Sequence, residues 1–136
     1  MQACTDNAAW SLALALHLIG IVADPGRIQH DTGKSEPLGE DDLLRAAKRF
    51  PVKARAVSSS IARLAKTPLP ALARLRSGAF AVVGRVTDDG VLIQGKDDPS
   101  PRLLGFAAFE REWSGRIILL SKRAALSDTA RRFDLS

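Results

Sequence analysis

The sequence has no tyrosine, one cysteine, one methionine and two histidines among its 136 residues. Each shortage removes a class of chemistry. A single cysteine excludes an intramolecular disulfide framework and fits a reducing compartment. Cys4, His17 and His30 lack the paired-ligand spacing of zinc modules, so neither a metal nor a cofactor is expected. With no tyrosine, and with basic residues scattered among acids, there is little to stack on bases or track a phosphate backbone, so nucleic acid is not an expected partner. The longest apolar run, Leu12 to Leu16, is far short of the roughly 20 residues that cross a bilayer. No basic-then-apolar-then-small leader is visible. Gly84, Gly90 and Gly95 lie in hairpin sequence rather than between a strand and a helix, and there is no Walker lysine motif, so no phosphate-binding loop is implied.

What is present describes one ordinary domain. The chain is 46% hydrophobic and 26% charged, a mix that folds around a core. Its net charge of +5 and pI of about 10.0 suit an acidic partner.

The residue pattern places helices first and strands after. Asp6 caps a helix running to about Ile19, apolar nearly all round and stopped by Gly20, which reads as a buried central helix. Asp24-Pro25 opens a short helix to about His30. A third helix starts near Asp41, carries Leu43, Leu44, Ala47 and Phe50, and ends at Pro51. "VKARAVS" alternates as a half-buried strand, and Ser59 or Ser60 caps a short helix containing Ile61 and Leu64. Then come the strands "ALARL", "AFAVVGRV", "VLIQG" and "RLLGF", with Asp89-Gly90 as a hairpin signal. The helix "AAFEREW" and a last strand "RIILLS" close an α+β domain. The tail "KRAALSDTARRFDLS" is linker by composition. The expected boundaries are 1–121 for the domain and 122–136 for the linker.

Several of these stretches, in this order and spacing, resemble the papain-like, bacteriocin-processing peptidase domain of ABC exporters. More closely, they resemble its degenerate version in type I secretion exporters of the haemolysin kind. The stretches are "DNAAWSLALALHLIG", "DPGRIQH", "LLRAAKRFPVKARAV", "LPALARLRSGAFAVV" and "FEREWSGRIILL". The ending "RRFDLS" resembles the segment ahead of the first membrane span in such exporters. The resemblance implies a papain-like cysteine peptidase fold, with N-terminal helices around the central helix and an antiparallel sheet behind it.

In active members the nucleophile is a cysteine following an aspartate at the start of the central helix. The base is a histidine in a Gly-His-Phe strand, and an aspartate after the next strand orients it. Here Asp6 is followed by Asn7, and the strand reads Gly78-Ala79-Phe80-Ala81-Val82, so the base position is Ala79. The third position falls on Gly95 by residue count, or on Asp98 if the loop is shifted by three. Cys4 lies three residues before Asn7, while His17 lies about 15 Å along the helix from it at 1.5 Å per residue. Hydrogen-bond reach between them is not expected.

The resemblance therefore implies no enzyme in this segment, but an accessory domain that tethers an unfolded secretion substrate near the entrance of the transporter. That substrate would be acidic and repeat-containing. The rest of a dimeric exporter would be the other partner, on the cytoplasmic face of the bacterial inner membrane, with the membrane touched only through spans outside this sequence. Asn7, Trp10, Ala79, Phe80 and Trp113 are the candidate substrate contacts. The rival readings are an active double-glycine leader peptidase and a purely structural or gating domain.

Overall fold

The computed structural model describes residues 7–33 and 37–123. Three helices come first: α1 (Asn7–Leu18), α2 (Pro25–Thr32) and α3 (Glu40–Ala47). Strand β1 (Val52–Ser58) and a single helical turn, α4 (Ile61–Leu64), follow. Strands β2 (Ala71–Leu75), β3 (Phe80–Thr87), β4 (Gly90–Gln94) and β5 (Arg102–Leu104) then lead to α5 (Phe106–Glu112) and β6 (Trp113–Lys122).

Local chemistry explains most boundaries. The Asp24 carboxylate accepts the Arg27 N–H at 3.1 Å, Pro25 opens α2 and Gly33, at φ 70°, ends it; this is an N-cap, a proline in the first turn and an αL C-cap. At the start of α3 the buried Asp42 carboxylate reaches back to the Gly39 N–H at 2.9 Å and pairs with Arg45 at 2.8 Å. Ser60 caps α4 by accepting the Arg63 N–H.

The six strands form one antiparallel sheet in the order β1-β6-β2-β3-β4-β5. The last strand thus lies between the first and the second. Side-chain alternation along each strand divides the core in two. Leu72, Phe80, Val82, Ile118 and Leu120 face α1 and its neighbours α2 and α3. Ala73, Val83, Val91, Ile93 and Ile117 face the opposite way, under Leu64 of α4 and Phe109 of α5. The architecture is α+β, as the sequence pattern implies.

Three expectations need correction. The central helix is not buried all round: Ala8, Ala9, Leu12, Ala15 and Leu16 are covered, but His17 is exposed and Leu18 is 54% exposed. The third helix stops at Ala47, because residues 48–50 donate to the carbonyls three back rather than four, the tighter turn common at helix ends. Trp113 opens β6 instead of ending the preceding helix. The cap expected at Asp6 and residues 124–136 of the expected linker lie outside the described residues, while Lys122, expected to begin that linker, ends β6 opposite Val52.

Candidate functional site

The N-terminus of α1 meets the start of β3. Leu75 donates to the Ala79 carbonyl across the β2–β3 ladder, and Phe80 stands opposite Arg74. Bonded and non-bonded positions alternate in an antiparallel pair, so the peptide groups of Phe80 point away from β2. The neighbour on that side, β4, ends at Gln94 opposite Val82 and does not reach Phe80. Helix α1 supplies the partners instead. The Asn7 carboxamide oxygen accepts the Phe80 N–H, and the buried Ser11 hydroxyl donates to the Phe80 carbonyl at 3.2 Å. Asn7 and Ser11 are one helical turn apart, so they reach the two peptide groups that flank Phe80. A buried backbone group without a partner is costly, and these two side chains complete a strand that its neighbour leaves unfinished.

Ala79, half-buried, immediately precedes this junction, and Phe80 is buried with its ring in the α1-side core. Trp10, one turn along from Asn7, is half-buried. Trp113 is elsewhere. It is only 4% exposed, packs in the opposite core with its ring centroid 5.0 Å from that of Phe109, and donates its indole N–H to the Arg116 carbonyl. The structure therefore brings Asn7, Ala79 and Phe80 together and leaves Trp113 on the other side of the sheet.

The two alternatives for the third position turn out to be neighbours. The Asp98 carboxylate accepts the Gly95 N–H at 2.8 Å and the Arg102 Nε–H at 3.2 Å. The Gly95 N–H, and after it Arg102, hold the Asp98 carboxyl below its ordinary value against the opposing cost of burial. Asp98 is thus engaged in closing its own turn.

Cys4 lies outside the described residues. His17 is exposed on the last turn of α1, and His30 is exposed near the end of α2. Among the described residues no three or more His, Cys, Asp or Glu side chains are placed to hold a metal ion.

A charged cluster that the sequence pattern did not single out lies in the same row of the sheet. Arg74 and Arg116 are register partners, as are Arg116 and Ser58. Arg116 donates to both oxygens of Glu40 at 3.0 Å and to the Ser58 hydroxyl at 3.0 Å. Hydrogen bonding from Arg116 holds the Glu40 carboxyl below its ordinary value, burial opposes this, and Arg74 adds in the same direction. At the far end of α1, Leu14, Leu18, Val82 and Leu92 line an open apolar hollow of about 460 Å³.

An antiparallel sheet whose strand start is tied to the N-terminus of a central helix defines the class. The chain belongs to the peptidase C39 family, whose pattern matches residues 2–125. Among curated proteins it is 34% identical, over 134 residues, to the cyclolysin secretion/processing ATP-binding protein of Bordetella pertussis, covering 96% of this chain and 18% of that one. It is 30% identical to the alpha-hemolysin translocation ATP-binding protein of Escherichia coli O157:H7, covering 100% of this chain and 20% of that one. The chain therefore spans about a fifth of the length of these relatives.

Solved structures agree on the fold. The N-terminal peptidase C39 like domain of a toxin secretion ATP-binding protein from Vibrio parahaemolyticus matches with a TM-score of 0.77 at 20% identity, covering 89% of this chain and 100% of that one. A double glycine motif protease from an AMS/PCAT transporter, solved with its leader peptide, matches at 0.77 and 17% identity over 90% and 88% of the two chains. The peptidase domain of Streptococcus ComA matches at 0.78 and 16% identity over 88% and 93%.

Proposed function

We propose that this chain is a catalytically silent C39-family domain of a type I secretion ABC exporter, and that it holds the unfolded secretion substrate near the transporter entrance. The observation that carries the reading is the bond between Asn7 and Phe80. At the position matched to the nucleophile stands a carboxamide whose oxygen is occupied in completing β3. It offers no sulfur for an acyl intermediate, and Ala79 offers no proton to exchange. The structural neighbours include active proteases, so the fold alone does not decide activity; these two side chains favour the silent reading.

In this reading the exporter is dimeric, the domain faces the cytoplasm at the bacterial inner membrane, and residues 124–136 lead toward its first membrane span. The substrate is unfolded and acidic, which suits a domain of charge +5. Many weak contacts to such a chain raise its effective concentration at the pore.

Two measurements test this. A double-glycine leader peptide incubated with the chain should remain intact; cleavage that disappears in Cys4→Ala would overturn the silent reading. An acidic, calcium-binding repeat protein should be captured when calcium is withheld and it is unfolded, and not when calcium folds it. Equal capture of both forms, or of neither, removes the docking role.

A further inference from the structure

The sheet has two edges of different character. Strand β5 is three residues long, directly after Pro101, and is too short to template much pairing. Strand β1 is seven residues long and keeps one unbroken register with β6. It contains no proline and no bulge. Two bonds just beyond its ends define which way its peptides point: the Arg123 N–H donates to the Pro51 carbonyl at 2.8 Å, and the Ser59 N–H donates to the Gly115 carbonyl at 2.7 Å. Odd-numbered residues of β1 therefore bond to β6, and even-numbered ones face outward. The Val52 N–H is used locally by the Phe50 carbonyl. The N–H and C=O groups of Ala54, Ala56 and Ser58 have no hydrogen-bond partner among the described residues.

What flanks this open edge is cationic. Lys53 and Arg55 are exposed on the sheet face away from α1. With Pro68 and Leu119 they line a hollow of about 330 Å³, where an aliphatic side chain can rest against the stems of the two cations. A second copy of this chain pairing antiparallel about Ala54 or Arg55 would set these cations directly opposite one another, and like charges so placed destabilise a strand pair. A strand with carboxylates at those positions gains from the same charges. The edge thus discourages self-association while remaining open to one kind of guest.

We propose that the free edge of β1 receives an extended acidic segment of another protein as a seventh strand. Main-chain bonds to Ala54, Ala56 and Ser58 supply affinity without demanding sequence, and Lys53 and Arg55 select acidic character. The inference rests on the docking reading for the source of the segment, since an unfolded chain readily presents an extended backbone with free N–H and C=O groups. It places the segment four strand spacings from β3, about 19 Å from the Asn7–Phe80 junction at about 4.8 Å per spacing. The guest would be held without entering the position matched to the nucleophile.

The test is a titration of the full 136-residue chain with a 12-residue peptide of alternating Glu and Val, and with its Lys-for-Glu counterpart, followed by NMR. The acidic peptide should shift the amides of Ala54, Ala56 and Ser58 and slow their hydrogen exchange. Lys53→Glu with Arg55→Glu should weaken it about tenfold and let the lysine peptide bind instead. Ala56→Pro, which removes an outward N–H at an edge position that tolerates proline, should weaken both peptides. The charge-reversed chain keeps the inference testable if the proline variant does not fold.

Shifts that map to the hollow at Leu14, Val82 and Leu92, or unchanged affinity in both variants, would overturn the proposal. So would protection of these amides that grows with protein concentration in the absence of peptide, which would assign the edge to a second copy. Capture of unfolded repeat protein undiminished in both variants removes the edge and leaves docking standing. Peptide binding at β1 in a chain that captures no unfolded protein removes docking and leaves the edge.

Discussion

Glu40, at the start of α3, and Arg116, in β6, meet through two parallel N–H···O bonds of 3.0 Å across 76 residues of sequence. The pair joins the helical layer to the sheet in the row that also holds Arg74 and Ser58. Its energy depends on the charge of Glu40. Because Arg116 lowers the folded-state pKa of Glu40 below its unfolded value near 4.5, the contribution is complete above that value and fades as pH falls through the folded pKa. Asp98 behaves the same way for its own reasons, the Gly95 N–H and then Arg102. The chain should therefore lose melting temperature on acidification below the ordinary carboxylate range. Glu40→Gln with Asp98→Asn should flatten that part of the profile, and a variant profile parallel to the wild-type one would contradict this.

Asn7→Ala should destabilise the fold by about 1–3 kcal/mol in urea titration, because the Phe80 N–H is left unsatisfied beside a buried ring. Asn7→Asp keeps an acceptor oxygen at the helix N-terminus, where negative charge is favourable, and should recover most of the loss. An Asn7→Ala chain as stable as the wild type would mean that the bond to Phe80 contributes nothing.

Leu12→Ala removes a side chain fully enclosed in the α1-side core. A loss of about 2–5 kcal/mol is expected from transfer plus the cavity left behind, a large share of the total stability of a small domain. Leu18→Ala on the same helix, half-exposed, should cost well under half as much by the same measurement.

Gly90→Ala tests the β3–β4 turn. Gly90 is buried with φ at 154°, and a Cβ there would collide with the Leu104 carbonyl of β5. The short strand β5 must move to accommodate it, so a destabilisation of about 1–3 kcal/mol should appear together with faster amide exchange at residues 102–104. Destabilisation without that local change would place the strain in the turn alone.

Much of the fold was legible because it is written in local chemistry. Asp24-Pro25 and Ser60 cap as their types imply, the hairpin falls where Asp89-Gly90 signals it, with Asp88 and Asp89 in the turn and Gly90 opening β4, and "VKARAVS" and "ALARL" are strands with the residue limits their patterns suggest. Boundaries drifted where two neighbours compete. Trp113 completes an apolar face in either a helix or a strand, and its extended backbone and pairing with Leu75 of β2 decide for β6. The apolar ring around α1 suggested burial on every side, but periodicity does not report where the sheet stops, and Leu18 lies past its cover.

The candidate site was less legible. Its location came through the stretches around Asn7 and Ala79, but not what Asn7 does, since its partner is 73 residues away. Glu40 and Arg116 looked like two ordinary surface charges, because nothing local records that β6 brings one beneath the other. The order of strands across a sheet is the least local property of all, and the character of the β1 edge depends entirely on it.

That order constrains how the molecule is made. With β6 threaded between β1 and β2, a chain emerging from the ribosome carries an orphan first strand until its final strand arrives. Strands β2 to β5 can pair in turn as they emerge, but translation must pass Lys122 before β1 can join them, so the sheet closes last at its β1 end.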